Sequence, residues 1–326
     1  MNKRSVAIVG LGNIGQGYDY REDILSSKVI LSHATAVTHH PGFKLIAGVD
    51  ISGEQRRRFY KKFCVPSYET VTAMLAVEVP DILVVAVPSQ QHYEVFTTVV
   101  KSGVRAIVCE KPLVNNISEA MALRKVVAES PLPIVVNFTR RFNPAINKLR
   151  EIICEGSLGK VYKSVAWYTK GLRENGTHFV DLIIYLFGSP CDVRIIRNGR
   201  LWMNHDPEPD ILLSFGDIDV YLLAGKEEAF SMGRLEVIGT RGSIYYGDGE
   251  FVEVITVQEG PVYDGHSTLS RAHEIKNDNS RDIYYLYDNL SIALSDAVPL
   301  NSSFESGLET LLLTHRICDM VEKDDG

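Results

Sequence analysis

The sequence lacks any long apolar run. Its longest, Ile82–Val87, Val104–Cys109 and Ile134–Val136, are strand-sized and far below the ~20 residues that cross a bilayer as a helix. A signal peptide is not expected either: Met1-Asn2-Lys3-Arg4 leads straight into the short stretch Val6-Ala7-Ile8-Val9-Gly10, with no small-residue cleavage site. Cysteine is scarce. Five thiols in 326 residues (Cys64, Cys109, Cys154, Cys191, Cys318) are odd in number, widely spaced and without a Cys-x-x-Cys pair. That excludes a disulfide scaffold and points to reduced thiols in the cytoplasm. No extended basic cluster is present. Lys and Arg number 34 against 41 Asp and Glu, a formal net charge of −7, which argues against nucleic acid or an anionic membrane as partner. His39-His40 are adjacent, with no Cys or carboxylate at ligand spacing, so no metal site is expected. Internal repeats and low-complexity stretches are absent too.

What remains is an ordinary globular composition, 45% hydrophobic and 23% charged, long enough for about two domains at roughly 100–200 residues each. Through residue 138, short β-branched runs alternate with helical patterns. Ser5–Val9, Lys44–Val49, Asp81–Val87, Val104–Cys109 and Pro133–Phe138 are apolar throughout, as strands buried on both faces of a parallel sheet must be. Gly53–Phe63, Ser67–Ala76, Gln90–Ser102 and Ser118–Ser130 carry helical spacing with polar faces. Strand and helix in alternation imply right-handed crossovers and a doubly wound α/β sheet over residues 1–138.

Beyond Asn143-Pro144 the texture changes. Pro144 suits the first turn of a helix running to about Glu155. Period-2 alternation then places Val161, Lys163, Val165 and Trp167 on one strand face, and predicts further strands at Val193–Arg197, Ile211–Phe215, Ile218–Leu222, Leu235–Ile238 and Glu250–Val257. Such alternation predicts a largely antiparallel, open sheet. Helices are expected at His178–Phe187, Asp282–Ser295 and Phe304–Glu322, and His266–Ser280 reads as a polar loop. Residues 139–326 therefore read as an α+β domain.

The strongest local signal is Gly10-Leu11-Gly12-Asn13-Ile14-Gly15, directly after a buried strand and opening a helix. In such a Gly-x-Gly-x-x-Gly turn the first glycine makes the bend. The second lets backbone N–H groups approach a pyrophosphate, and the third lets helix pack on strand. The acidic partner for the adenosine ribose is Asp50, at the end of the second strand. It follows Gly15 by 35 residues, against the usual ~20, and the excess is the polar stretch Gly17–Ser32. An insert over residues 18–31 beside the phosphate turn is expected to form a lid or lip, or else a plain surface excursion. Asp50 favours NAD over NADP, because a carboxylate repels a 2′-phosphate. Consecutive residues of a helix diverge by about 100°, so at most one of Arg56, Arg57 and Arg58 can face the ribose.

Two further motifs carry chemistry. Glu110-Lys111-Pro112 sits at the carboxyl end of a strand, where open α/β sheets bind ligands. In Arg173-Glu174-Asn175-Gly176-Thr177-His178-Phe179-Val180-Asp181, a helix starting near His178 puts His178 and Asp181 on one face. A carboxylate beside an imidazole fixes its tautomer, although a helix-terminal structural pair reads equally well. Arg140, Arg141, Lys163, Lys170 and Arg173 are candidates for a cationic cleft, with surface ion pairs as the alternative. Tyr284, Tyr285 and Tyr287 suit core and interface better than sugar stacking.

Gly10-x-Gly12-x-x-Gly15, Asp50, Ala86-Val87-Pro88-x-x-x-His92, Glu110-Lys111-Pro112, Arg140-Arg141-Phe142-Asn143-Pro144, Gly159-Lys160-Val161, Gly176-x-His178-x-x-Asp181 and Ser306-Gly307-Leu308-Glu309 occur in this order. In that order and over nearly the whole chain the sequence resembles the glucose–fructose oxidoreductase / inositol dehydrogenase / rhizopine-catabolism (Gfo/Idh/MocA) family. The resemblance implies a Rossmann domain and a second α/β domain whose open sheet builds a homodimer or homotetramer. It further implies NAD(P)-dependent oxidation or reduction of a sugar, polyol or nucleotide-sugar. Lys111 matches the family's active-site lysine and His178 its catalytic histidine, while Pro88 and His92 match a cofactor-side segment. Relatives usually carry Asp four residues before the histidine. Here that position is Glu174, a carboxylate of longer reach. An NAD(P)-binding regulator and a redox-neutral, glycoside-cleaving enzyme are the alternative readings.

Overall fold

The computed structural model describes residues 3–20, 29–247, 251–259, 267–296 and 298–324. In the first part of the chain the apolar runs form β1 (Arg4–Val9), β2 (Phe43–Val49), β3 (Ser67–Tyr68), β4 (Ile82–Val85), β5 (Ala106–Cys109) and β6 (Ile134–Val136). All pair in parallel, in the order β3-β2-β1-β4-β5-β6, the doubly wound order of a dinucleotide-binding sheet. Both faces are covered by α1 (His33–His39), α2 (Gly53–Phe63), α3 (Val71–Leu75), α4 (His92–Val99) and α5 (Ile117–Glu129). The expected helix Ser67–Ala76 is shorter. Ser67 and Tyr68 pair with Gly48 and Val49 as an edge strand, and the Thr70 hydroxyl caps the helix at the Ala73 N–H (3.2 Å), which starts it later. Tyr18–Tyr20 and Val29–Leu31 of the insert lie among the described residues, whereas the expected lid over 18–31 falls largely at 21–28, outside them.

Asn143 caps the next helix, α6 (Pro144–Cys154), by accepting from the Ala145 N–H (2.8 Å). There follow β7 (Val161–Tyr168), α7 (Thr177–Phe187), β8 (Asp192–Arg197), β9 (Leu201–Trp202), β10 (Asp206–Pro207), β11 (Asp210–Phe215), β12 (Ile218–Ala224), β13 (Arg234–Gly239), β14 (Gly242–Tyr246), β15 (Phe251–Glu259) and β16 (Ser267–Lys276). Eight of these strands form one sheet, β16-β15-β14-β13-β7-β12-β11-β8. Within it β7 and β12 run parallel and the remaining neighbours antiparallel. The polar segment expected as a loop from His266 to Ser280 is, over Ser267–Lys276, the edge strand β16. An edge strand gains its hydrogen bonds from one neighbour and needs no apolar face, so alternation did not announce it. Lys163, Val165 and Trp167 do share a face of β7, but the packed face is the other one, Ser164, Ala166 and Tyr168.

Helices α8 (Asp282–Asp296) and α9 (Phe304–Asp324) close the chain. Two compact units result: Met1–Phe142 with Asn279–Leu311, and Asn143–Asp278 with Leu312–Gly326. This grouping differs from the expected bounds of 1–138 and 139–326, because Ile283, Leu286, Tyr287 and Leu290 of α8 enter the same core as Ile8, Phe59 and Val84. The second unit has its own core, with Leu149, Phe179, Ile183, Leu222 and Ile317. Burying one such side chain contributes about 1.5–3 kcal/mol.

Candidate active site

Gly10 leaves β1 with φ +97°, its N–H donating to the Val49 carbonyl (2.8 Å). A side chain there would strike the Ala86 backbone, so only glycine is tolerated. One π-type helical turn, Asn13–Gly17, follows and contains Ile14 and the buried Gly15. At Gly12 the opposite holds: nothing lies within 4 Å of where a Cβ would stand. The backbone is therefore open to a cleft of about 580 Å³ lined by Gly10, Gly12, Asp50, Ile51, Thr70 and Pro88, among others. Asp50 accepts from Leu11 N–H through Oδ2 and from Ser52 N–H through Oδ1 (both 2.8 Å). Open glycine backbone and a fixed carboxylate across one cleft fit a dinucleotide. Two of the arginines of α2 diverge. Arg56 donates to the Asp50 and Ile51 carbonyls (2.6 and 3.1 Å), whereas Arg58 lies over the Tyr20 ring.

The loop after β5 carries the second motif, with a cis Lys111–Pro112 peptide bond. Glu110 is largely buried, and two donors converge on its Oε1: Nε2 of His33 at 2.8 Å and Nδ2 of Asn137 at 2.6 Å. Burial pushes the Glu110 carboxyl up, but the hydrogen bond from His33, the charge His33 carries when protonated, the Asn137 hydrogen bond and the nearby Lys111 charge outweigh it and hold the group below the usual range. His33 Nδ1 lies 2.9 Å from the Tyr287 hydroxyl. Burial, and then the Glu110 charge, push Tyr287 well above its ordinary value. The Cys109 thiol is raised for the same two reasons. Lys111 is half-buried.

Pro88 lines the cleft, but His92 lies behind it, fully buried. Its Nε2 faces the Val87 carbonyl (2.9 Å), and its Nδ1 faces those of Pro112 and Leu113 (3.0 and 3.2 Å). With backbone oxygens at both nitrogens, His92 staples the Glu110-Lys111-Pro112 loop to the turn after β4.

In the second unit, the turn Gly171–Gly176 leads into α7. Two buried carboxylates that the motifs did not reveal hold its backbone. Asp206 accepts from the Arg173 and Glu174 N–H groups (both 2.9 Å), and Glu208 Oε1 accepts from Gly171 N–H (3.1 Å). Gly171 has φ +72°, and a Cβ there would collide with Asp206. Burial raises the Asp206 carboxyl, even though those two N–H groups and the Arg173 charge pull the other way. Arg200 closes the set on Glu208 Oε2 at 2.6 Å. Glu174 is exposed on the turn, His178 is half-buried at the start of α7, and Asp181, almost one turn further on, is fully buried.

The candidate cationic cleft resolves mostly into ion pairs. Lys163 meets Asp219 (3.2 Å), Lys170 meets Glu227 (3.4 Å) and Arg173 meets Glu322 (3.3 Å), while buried Arg141 donates to the Asn301 carbonyl (3.3 Å). Tyr287 is core. Among the described residues, no group of three or more His, Cys, Asp or Glu is placed to hold a metal ion, and no helix is long and apolar enough to cross a membrane. His33, Asn137, Asp206 and Glu208 escaped the sequence reading, because each is defined by a partner distant in the chain. The one local hint is the Asp206-Pro207-Glu208-Pro209-Asp210 run.

Residues 4–138 match the Gfo/Idh/MocA family, described as an oxidoreductase family with an NAD-binding Rossmann fold. The chain is 28% identical over 276 residues to scyllo-inositol 2-dehydrogenase (NAD(+)) of Bacillus subtilis, spanning 74% of this chain and 73% of that protein. Other relatives are covered less fully: inositol 2-dehydrogenase of Rhizobium meliloti is 28% identical across 40% of this chain and 38% of its own length. Among solved structures, the WlbA dehydrogenase of Bordetella pertussis, in complex with NADH and UDP-GlcNAcA, superposes with a TM-score of 0.77 at 17% identity, over 99% of this chain and 96% of that one. An oxidoreductase of Agrobacterium radiobacter in complex with NAD+, L-tartaric acid and magnesium gives 0.76 at 17% identity, over 96% and 95%. The glycine turn with Asp50 and the matched segment lead to one assignment: residues 4–138 are an NAD-binding Rossmann unit of the Gfo/Idh/MocA oxidoreductase family, in a chain similar over most of its length to an inositol dehydrogenase.

Proposed function

We propose that this protein is an NAD-dependent dehydrogenase of a hydroxyl, or reductase of the matching carbonyl, on a sugar, polyol or nucleotide-sugar. The observation that carries the reading is the cleft lined by both the open Gly12 backbone and the Asp50 carboxylate. The inositol and UDP-sugar names of the relatives support the substrate class. Gly10, Gly12, Asn13, Ile14 and Gly15 cradle the pyrophosphate, Asp50 takes the ribose hydroxyls, and Pro88, Glu110 and Lys111 border the nicotinamide end. His92 serves this segment as a staple. When bound, NAD supplies the electron acceptor at nicotinamide C4.

The chain's own residues manage the proton. A neutral imidazole, with an ordinary pKa of about 6.5, suits His178 as base for the substrate hydroxyl. A lysine, at about 10.4, stays charged unless desolvated, so Lys111 donates a hydrogen bond to the reacting oxygen. Asp181, and Glu174 at the position of the relatives' Asp, orient the base. The first unit binds cofactor; the second binds substrate and builds a cytoplasmic homodimer or homotetramer.

The test is a titration with NAD, NADH, NADP and NADPH, then an inositol, sugar and nucleotide-sugar panel followed by nicotinamide absorbance. Tight NAD(H) binding with reduction on one panel member is expected. His178→Ala should lower turnover about 10²–10⁴-fold with NADH affinity unchanged, and retained turnover would remove His178 from the mechanism. Absence of any cofactor binding would overturn the whole reading.

A further inference from the structure

The Tyr287 hydroxyl orders the protons around Glu110. Tyr287 is fully buried, and burial keeps its hydroxyl protonated. Among the described residues, the acceptor within reach of that hydroxyl is His33 Nδ1 at 2.9 Å. A buried O–H without an acceptor is costly, so Tyr287 donates and Nδ1 presents its lone pair. A neutral imidazole carries one proton, which therefore sits on Nε2, 2.8 Å from Glu110 Oε1. Asn137 adds its amide donor to the same oxygen. Three neutral groups from α8, α1 and the end of β6 thus hold a carboxylate at the start of the lysine loop.

We propose that Tyr287 and His33 form a proton-ordered relay that keeps Glu110 an oriented anion beside Lys111, which makes both of them positioning residues for the Lys111 ammonium. The inference rests on the reading of Lys111 given above. The Cys109 thiol also feels Glu110 and is held neutral by burial and by that charge. At the other end of α1, His40 and Asp288 of α8 form a separate pair at 3.0 Å, with Tyr284 packed on His40.

Two measurements on the full chain test it, neither needing a substrate. In protein labelled with ¹⁵N-histidine, the His33 ring signals, assigned by their loss in His33→Gln, should show the Nε2–H tautomer, and Tyr287→Phe should destroy that pattern. An imidazolium or Nδ1–H pattern in the unsubstituted protein would overturn the relay. Reductive methylation with formaldehyde and cyanoborohydride then reads the neutral amine at Lys111. In His33→Gln, Tyr287→Phe and the isosteric Glu110→Gln, its rate near pH 8 should rise about threefold or more, with the rate–pH curve displaced to lower pH. Simple loosening would scale the rate equally at every pH. An undisplaced curve in all three variants would overturn the proposal. Lys111→Met separates it from the underlying reading. Retained turnover there removes the lysine's role, whereas lost turnover with an undisplaced methylation curve removes the relay alone.

Discussion

Glu110 in the first unit and Asp206 in the second are both buried carboxylates that hold a loop bearing candidate catalytic residues, yet their environments push them in opposite directions. Glu110 receives side-chain donors from His33 and Asn137 and the charge of Lys111, and its carboxyl falls below the usual range. Asp206 receives two backbone N–H groups, with the half-exposed Arg173 charge nearby, and burial wins. The comparison separates two uses of a carboxylate. Side-chain donors and a close cation offset desolvation and leave a dependable anion; backbone donors fix the path of the chain but offset less of the burial cost. Glu110 is thus suited to charge, and Asp206 to geometry.

The largest expected effect breaks the geometric side. Asp206→Ala leaves the part-buried Arg173 and Glu174 N–H groups without their acceptor. At about 1–3 kcal/mol each, urea unfolding should show a loss of about 2–6 kcal/mol, while NADH affinity stays within about twofold. Stability unchanged by this variant would mean that the turn is held elsewhere.

Acid titration sharpens the contrast. The depressed Glu110 carboxyl contributes stability that is present above its ordinary value of about 4.3 and is lost as pH falls through its folded-state value. The raised Asp206 carboxyl contributes stability that is present below its ordinary value of about 3.9 and is lost as pH rises through its folded-state value. On acidification the standing of the unsubstituted protein against Asp206→Asn should therefore improve towards about pH 4, whereas its advantage over Glu110→Gln should shrink only below about pH 4. Denaturant midpoints across that range decide it; two differences of the same sign would refute the contrast.

The smallest effect isolates the surface. Arg173 also pairs with Glu322 at 3.3 Å, with the two side chains 38% and 68% exposed. Solvent screens such a pair, so Glu322→Ala should change stability by only about 0–0.5 kcal/mol. A loss comparable to that of Asp206→Ala would show that the side chain of Arg173, rather than its backbone, anchors the turn.

Legibility followed the range of the interactions. The parallel strands were readable because burial on both faces demands continuous apolar runs, and Gly10 because its bend leaves no room for a side chain. The divergence of Arg56 and Arg58 on α2 was readable from helical spacing alone. Edge strand β16 was not, since pairing with β15 requires no apolar pattern. The short β3 was missed for a related reason: two residues are too few for any period to register.

By itself the sequence determined the doubly wound sheet, the glycine turn with Asp50, the position of Glu110-Lys111-Pro112 at a strand end and a helix beginning near His178. Each depends on local sterics or on a periodicity written within a dozen residues. Only the tertiary structure decided that α8 joins the first unit, that His92 staples a loop, and that Glu110 and Asp206 feel opposite electrostatics. Those outcomes depend on Tyr287 meeting His33 across 254 residues and Asp206 meeting Arg173 across 33. Hydrogen bonding and desolvation act through space, and no periodicity along the chain encodes them.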